Sequence, residues 1–411
     1  MARSALAFRL VLPSLCVLVS TSASCGQVNW PQFMGPDRNG ITSETGWLAE
    51  WPNEGPPILW NASLGKGYSS FAVVGDRVWT MGNQEGKETI LCLNALTGEE
   101  LWRYQYPAGL CATYHAGGPC TTPSIDGDAV YTLGKEGHLC CLSAMDGKLR
   151  WERNLPKDLE VEVSDFGISC SPLVEGDLVL VDVGVMAALD KKDGKVLWKH
   201  PPVRRAFTSP VAFDLEGRRC AATLNGYGLL VFDLKTGEEG CRYRWETFDD
   251  TNCATPVVQG NRIFISSAYD VGGAVLEVAW GKEPNVIWKN RNMRNHFALS
   301  VLWKGYLYGF DGSVHKEDQG ELRCVSFETG EVKWSEPSVA KGGLIMSDGK
   351  IIAITDKGEL VVAVATPQEF KTLSRFQVLG GSCWTPPVLS GGLIFCRNAE
   401  GDAVCVDVRV K

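Results

Sequence analysis

The sequence predicts an all-β fold: one eight-bladed β-propeller of four-stranded antiparallel blades, closed by strands from both ends of the chain. Three observations predict it. A Trp-terminated segment recurs with a mean spacing near 46 residues. Between those segments lie short runs of period-two apolar alternation broken by tight glycine turns. The last repeat lacks one strand, and an orphan strand precedes the first complete repeat. Four strands in a repeat of this length make one blade.

Five segments carry the repeat clearly: Cys92-LNALTGEEL-Trp102, Cys141-LSAMDGKLR-Trp151, Ala188-LDKKDGKVL-Trp198, Val231-FDLKTGEEGCRYR-Trp245 and Cys324-VSFETGEVK-Trp334. The fourth reads as carrying a four-residue insertion before its Trp. Weaker copies end at Trp60 and Trp288, and Phe376 in Leu373-SRF stands as an aromatic in place of Trp. A second pattern fills the gaps. It is Ser/Thr-Pro, an apolar pair, a Gly turn and an alternating strand, as in Thr122-PSIDGDAVYTLG, Ser171-PLVEGDLVLVD, Thr255-PVVQGNRIFIS and Thr385-PPVLSGGLIFC. The Gly-Asp, Asp-Gly and Gly-Asn pairs are hairpin turns.

Seven blades therefore end at Trp102, Trp151, Trp198, Trp245, Trp288, Trp334 and Phe376. The 35 residues after Phe376 supply three strands of the eighth. The run Pro57–Leu64 is expected to be its outer strand, which removes a free sheet edge. The domain reading is a signal peptide at 1–24, an extended segment at 25–56 lying on the ring, and the propeller at 57–411. A length of 411 residues alone suggests two or three domains, but propellers scale by blade number. The recurring Trp60, Trp102, Trp151, Trp198, Trp245, Trp288 and Trp334 are expected to be structural, each covering the adjacent blade.

Composition narrows the function classes. Apolar residues make up 45% and charged residues 21%, an ordinary globular balance. The 45 Gly and 20 Pro imply many turns. A net charge of −8 with no basic tract argues against a nucleic-acid partner. The N-terminus has Arg3 and Arg9, an apolar run from Leu10 to Val19 and small residues up to Cys25, the pattern of a secretory signal peptide. Cleavage after Ala23 or Ser24 fits. A lipid-modified Cys25 is the alternative, and membrane association is expected only in that case. The expected location is therefore exported, periplasmic or cell-surface, and the expected state is a monomer.

Fifteen cysteines are many for an exported chain. The thirteen beyond Cys16 and Cys25 are odd in number and show no zinc-finger spacing. Cys92, Cys141, Cys324 and Cys405 occupy one repeat position in four blades. Symmetry sends them to different interfaces, so they are expected to be buried, small and unpaired with one another.

The run A/C-x-x-x-x-T/D-G-x-x-x-W resembles the tryptophan-docking motif of the pyrroloquinoline quinone (PQQ) repeat propellers, over roughly residues 57–411. The opening Trp30-PQFMGPDRNG also resembles exported propellers of planctomycete-type bacteria. The resemblance implies the fold and leaves two activities open. The family includes PQQ-dependent alcohol dehydrogenases and also non-catalytic scaffolds similar to BamB. The reading favoured is a non-catalytic binding or scaffold module with no cofactor, whose protein partner or small ligand the sequence does not name. The alternative is a quinoprotein with PQQ and calcium in the central funnel.

In a propeller the loops leading into the innermost strands ring the funnel. The candidate ligand-binding residues there are Tyr68, Tyr114, His115, Asp165, Phe166, Arg204, Arg205, Asn252, Asn295, His296 and Trp384. A quinoprotein would need a carboxylate base, for which Asp165, Asp249 or Asp250 stand available, and a metal oxygen such as that of Asn252. None of these matches a family catalytic motif, so no catalytic residue and no metal ligand is assigned. Cys140-Cys141 is adjacent like the vicinal disulfide of some family enzymes, but it falls on a strand. No G-x-S-x-G, H-E-x-x-H or phosphate-loop motif is present, nor a C-x-x-C-H haem motif. His138 and His200 lie on or beside strands, and His315 in a hairpin loop. The sequon Asn61-Ala-Ser63 lies on a strand and is discounted.

Overall fold

The computed structural model of the chain describes Met1 and residues 28–113, 115–203, 207–313 and 318–410. The expected signal segment, with Cys16 and Cys25, lies outside the described residues, as do Tyr114, Arg204, Arg205 and His315. Eight four-stranded antiparallel sheets follow one another along the chain. They span 72–107, 124–154, 173–199, 211–244, 257–290, 301–336, 342–377 and 388–407, and are numbered blades 1 to 8 in that order. The eighth is completed by Ile58–Ser63, which pairs antiparallel with Asp402–Asp407. The chain thus closes the ring with its own two ends, as the short last repeat predicts.

Each strand buries alternate residues on opposite faces, and a sheet inside a ring has a neighbour on both faces. The apolar core is accordingly divided into clusters between consecutive blades. Cys140 joins the cluster between blades 1 and 2, while Cys141 joins that between blades 2 and 3. The two sulfurs leave opposite faces of one strand and form no disulfide. Cys92 shares the cluster of Cys140, while Cys324 and Cys405 lie in two further clusters; all three are buried and unpaired.

Six of the seven expected tryptophans dock as the repeat predicts. Each indole donates to a carbonyl in the last hairpin of the following blade: Trp60 to Ala95 at 2.9 Å, Trp102 to Ala144 at 3.1 Å and Trp151 to Lys191 at 3.0 Å. Trp198 reaches Leu234, Trp288 reaches Phe327 and Trp334 reaches Thr366 in the same way. The turn glycine is needed there twice over. Gly98 has φ +71°, and a Cβ on it would lie 2.7 Å from the Trp60 ring.

Trp245 is the exception and corrects the sequence reading. Val231 pairs with Cys241, the register that elsewhere pairs Cys92 with Trp102. Blade 4 has no insertion: Cys241 holds the docking position and Trp245 lies four residues beyond it. The Trp245 indole turns instead to Ser267 Oγ at 3.1 Å. The vacated place is taken by Trp280 of blade 5, whose ring packs on Gly240 and beneath the Arg218 guanidinium. Phe376 is corrected likewise, since Ser374 pairs with Val362 at the docking position of blade 7.

The Ser/Thr of the recurring Ser/Thr-Pro step has a common role. The Ser70 amide donates to Thr122 Oγ1, Thr122 to Ser171 Oγ, Ser171 to Ser209 Oγ and Ser209 to Thr255 Oγ1, at 2.9–3.3 Å. These bonds form a belt through blades 1 to 5, just ahead of the innermost strands. We call the edge where the chain enters those strands the upper mouth of the channel, and the edge where their first hairpins turn the lower mouth.

Residues 28–44 make one circuit of the lower mouth. Val28 O accepts from Ser390 Oγ in blade 8, Trp30 forms a two-bond bridge with Val73 in blade 1, and Pro31 O accepts from Ile125 N in blade 2. Ile41–Thr42 adds a parallel fifth strand to blade 7, and Glu44 receives the amides of Gly391 and Gly392 back in blade 8. Across the channel Arg38 donates to Ser171 O, Pro172 O and Pro210 O. Burial pushes this guanidinium down to about 10. Backbone dipoles, in place of a carboxylate, hold its charge among the described residues. The chain then crosses beneath blades 7 and 8, where Trp47 donates to Ser347 Oγ at 2.9 Å, before entering Ile58–Ser63.

Candidate functional site

This segment leaves a cavity of about 370 Å³ at the lower mouth, lined by Met34, Asp37, Arg38, Val211, Phe213 and Val257, while the candidate residues gather at the upper mouth. Its most distinctive feature is a band of aromatic rings. Tyr68, in the loop before blade 1, stacks on Trp384, in the loop before blade 8, with centroids 5.3 Å apart and planes at 16°. Trp384 stacks on Phe297 at 5.2 Å, and Phe297 on His296 at 4.2 Å. The band continues at one end to His115, edge-on to Tyr68 at 5.4 Å. At the other end Tyr269 meets His296, its hydroxyl 3.1 Å from Nε2. Loops of blades 1, 2, 5, 6 and 8 contribute. The loop leading into blade 7 is short, which lets Trp384 and Phe297 meet over it.

The band is partly open to solvent. Phe297 is 38% exposed, while Tyr68, His115 and Trp384 are half-buried. Burial pushes the Tyr68 hydroxyl up to about 12. Burial, and then the Lys135 charge, push the His115 imidazole down to about 4. It is neutral at neutral pH and accepts the Gly117 amide on Nδ1 at 3.0 Å.

Beneath the tyrosine end sit two buried cations. Lys135 is fully buried, and its ammonium lies 3.2 Å from Cys120 Sγ. Arg397 is also fully buried and donates to Ser69 O, Met81 O and Gly65 O. Burial lowers Arg397 to about 10, partly offset by Cys120 and Tyr68. Among the described residues neither cation forms an ion pair with a carboxylate, although Glu88, Glu136 and Glu400 lie close enough to act on the same groups.

The structure therefore brings together Tyr68, His115, His296 and Trp384 from the sequence candidates. Phe166 stands apart near blade 3, edge-on to Phe207 at 5.6 Å, with Asp165 exposed beside it. Asn252 and Asn295 are both buried, and their amides are hydrogen-bonded within the walls. Asn252 Nδ2 donates to Asn225 O at 2.7 Å and its Oδ1 accepts from Ser267 Oγ at 2.6 Å. Asn295 Nδ2 donates to Phe310 O at 3.0 Å and its Oδ1 accepts from Ser300 Oγ at 2.8 Å. Sequence reasoning missed Phe297, Tyr269, Lys135, Cys120 and Arg397. Phe297 adjoins a named candidate, and the position of Lys135 in the turn Gly134-Lys-Glu-Gly137 marks it as a loop residue at the same edge. Nothing in the sequence marks its burial.

Chemically, stacked rings recognise flat or apolar surfaces. Solved structures share the fold. BamB from Moraxella catarrhalis is 16% identical, with a TM-score of 0.64 over 86% of this chain and 98% of that one. The quinohemoprotein alcohol dehydrogenase of Comamonas testosteroni is 13% identical, with a TM-score of 0.67 over 95% and 82%. A computationally designed protein, Ika8, reaches 0.57 at 13% identity over 90% and 99%. A likeness that extends to a designed protein speaks for fold and not for activity. A comparison with curated proteins gives no significant match. Residues 86–336 match the family model described as outer membrane protein assembly factor BamB, and the chain belongs to that family of PQQ-repeat propellers.

Proposed function

We propose that the chain is a non-catalytic binding module whose upper mouth holds a partner or ligand through the aromatic band. The observation that carries this reading is the division of labour at that mouth. The rings of Tyr68, Trp384 and Phe297 are presented there, while the amide oxygens that could serve a metal are turned into the walls. A calcium-bound quinone needs six to eight oxygen ligands converging on one point. Asn252 Oδ1 is engaged by Ser267, and Asp165 is exposed in the loop before blade 3 whereas Asn252, Asp249 and Asp250 belong to the loop before blade 5. Asn252 and Asp165 do not make up that centre. The BamB-like fold and the signal-type N-terminus support an exported binding or scaffold module, acting as a monomer on a protein partner or a small ligand.

The test is reconstitution with PQQ and Ca²⁺, followed by absorbance and by alcohol-dependent dye reduction. Neither a bound-quinone spectrum nor turnover is expected. Stoichiometric PQQ binding, with turnover lost in Asp165→Ala, would replace this reading with the dehydrogenase one.

A further inference from the structure

We propose that His138, Cys140 and Glu152 of blade 2 form a binding site for a divalent transition metal, with Zn²⁺ the best match. His138 and Cys140 are two apart on His138–Ser143 and so share a face. Glu152 lies directly opposite Cys140 on Leu149–Asn154. The three ligand atoms lie within 4.8 Å of one another, and His138 Nε2 is 2.9 Å from Glu152 Oε2. No sequence spacing announces this set, because the strand register supplies the third ligand.

The donors decide the metal. A sulfur, an imidazole nitrogen and a carboxylate oxygen form a mixed set that suits Zn²⁺ and does not suit the oxygen-only preference of Ca²⁺ or Mg²⁺. Three protein ligands leave a fourth position for water. That position is reachable, since the His138 and Glu152 side chains are 28% and 49% exposed while Cys140 lies at the buried end.

A second observation points to the same place. Thr132 Oγ1 is buried without a conventional hydrogen-bond partner. Thr132 pairs with Cys140 in register on the neighbouring strand, so the two side chains share one face of the sheet. A neutral thiol is a weak acceptor. A metal-bound thiolate would accept this hydroxyl, the outer-shell bond that metal sites use.

Tyr104 and Tyr106 of blade 1 flank the cluster, with the Tyr106 ring 4.3 Å from the His138 ring and its hydroxyl bonded to Glu88. On binding, the sulfur–hydrogen bond breaks, the proton leaves to solvent and the sulfur–metal bond forms. No electron is transferred.

The experiment titrates the reduced, full-length protein with Zn²⁺ against a chromophoric chelator, and with Co²⁺ in the ultraviolet. One equivalent of metal, release of about one proton and a thiolate-to-Co²⁺ charge-transfer band are expected. His138→Gln and Glu152→Gln, at partly exposed positions, should each weaken binding by about tenfold or more and leave the metal-free unfolding midpoint in place. Cys140→Ala should abolish the band. Should that variant fail to fold, the other two decide. Absence of the band, or binding unchanged in both glutamine variants, overturns the proposal.

Discussion

Val231 faces Cys241 across the third and fourth strands of blade 4, in the register that pairs Cys92 with Trp102 in blade 1. One blade interface therefore lacks its docking tryptophan, and Trp280 from the following blade fills the space against Gly240. Trp102→Ala should lower stability by about 3–5 kcal/mol, since a buried indole and its bond to Ala144 are lost together. Cys241→Trp should also destabilise, by about 1–3 kcal/mol, because the slot is occupied. Adding Trp280→Ala to Cys241→Trp should recover part of that loss. Denaturant unfolding of the three variants measures the ordering, and a stabilising Cys241→Trp would contradict this packing.

Arg38 ties the circuit at the lower mouth to blades 3 and 4 through Ser171, Pro172 and Pro210, and to blade 2 through Ser124 Oγ at 3.5 Å. Arg38→Met keeps most of the apolar bulk but leaves the carbonyls of Ser171, Pro172 and Pro210 without this donor. A cost of about 3 kcal/mol or more is expected, since buried acceptors lose their partner. Protease cleavage should appear between residues 28 and 50 in the variant before it appears in the parent. Unchanged unfolding and digestion would show that the circuit is not held by this side chain.

His115 gives a pH signature. Its folded value is about 4, below the ordinary 6.5. The unfolded chain thus binds more protons between those values, and stability rises with pH across that window. This contribution is complete above about pH 6.5 and is lost as pH falls towards 4. The His115 ring protons in NMR should stay flat through pH 6.5, and His115→Asn should flatten the stability slope on the acid side. A His115 midpoint near 6.5 would contradict its burial beside Lys135.

Cys92, Cys141, Cys324 and Cys405 should resist alkylation in the native protein, while the half-buried Cys111 and Cys120 react first; burial pushes Cys253 up to about 12 and slows it. Peptide mass mapping after brief labelling reads the order. Rapid labelling of the four repeat-position thiols, or a disulfide among them, would contradict the division of the core between blades.

The ring was legible because each blade repeats its own turn and its own indole, and both signals are local. Trp245 misled because a tryptophan stands four residues past the docking position, and spacing alone cannot distinguish that from an insertion. Register settles it. The circuit of residues 28–44 has no periodicity to read: its bonds join Arg38 to Ser171 and Pro210 across more than 130 positions of chain. Asn252 and Asn295 looked functional as polar loop residues, and only the positions of Ser267 and Ser300 show that their amides are already spent. The aromatic band was half visible, since its members come from five loops that only closure of the ring brings together.

One ring closed by its N-terminal strand is the expected unit of unfolding. Unfolding of a chain starting at Val28 should be compared with that of a chain starting at Gly65, which lacks Ile58–Ser63 and the circuit. The first should unfold in a single transition at the midpoint of the full chain. The second should lose the transition or unfold far below that midpoint. A chain from Gly65 that keeps the full midpoint would contradict the closure of blade 8 by strands from both ends.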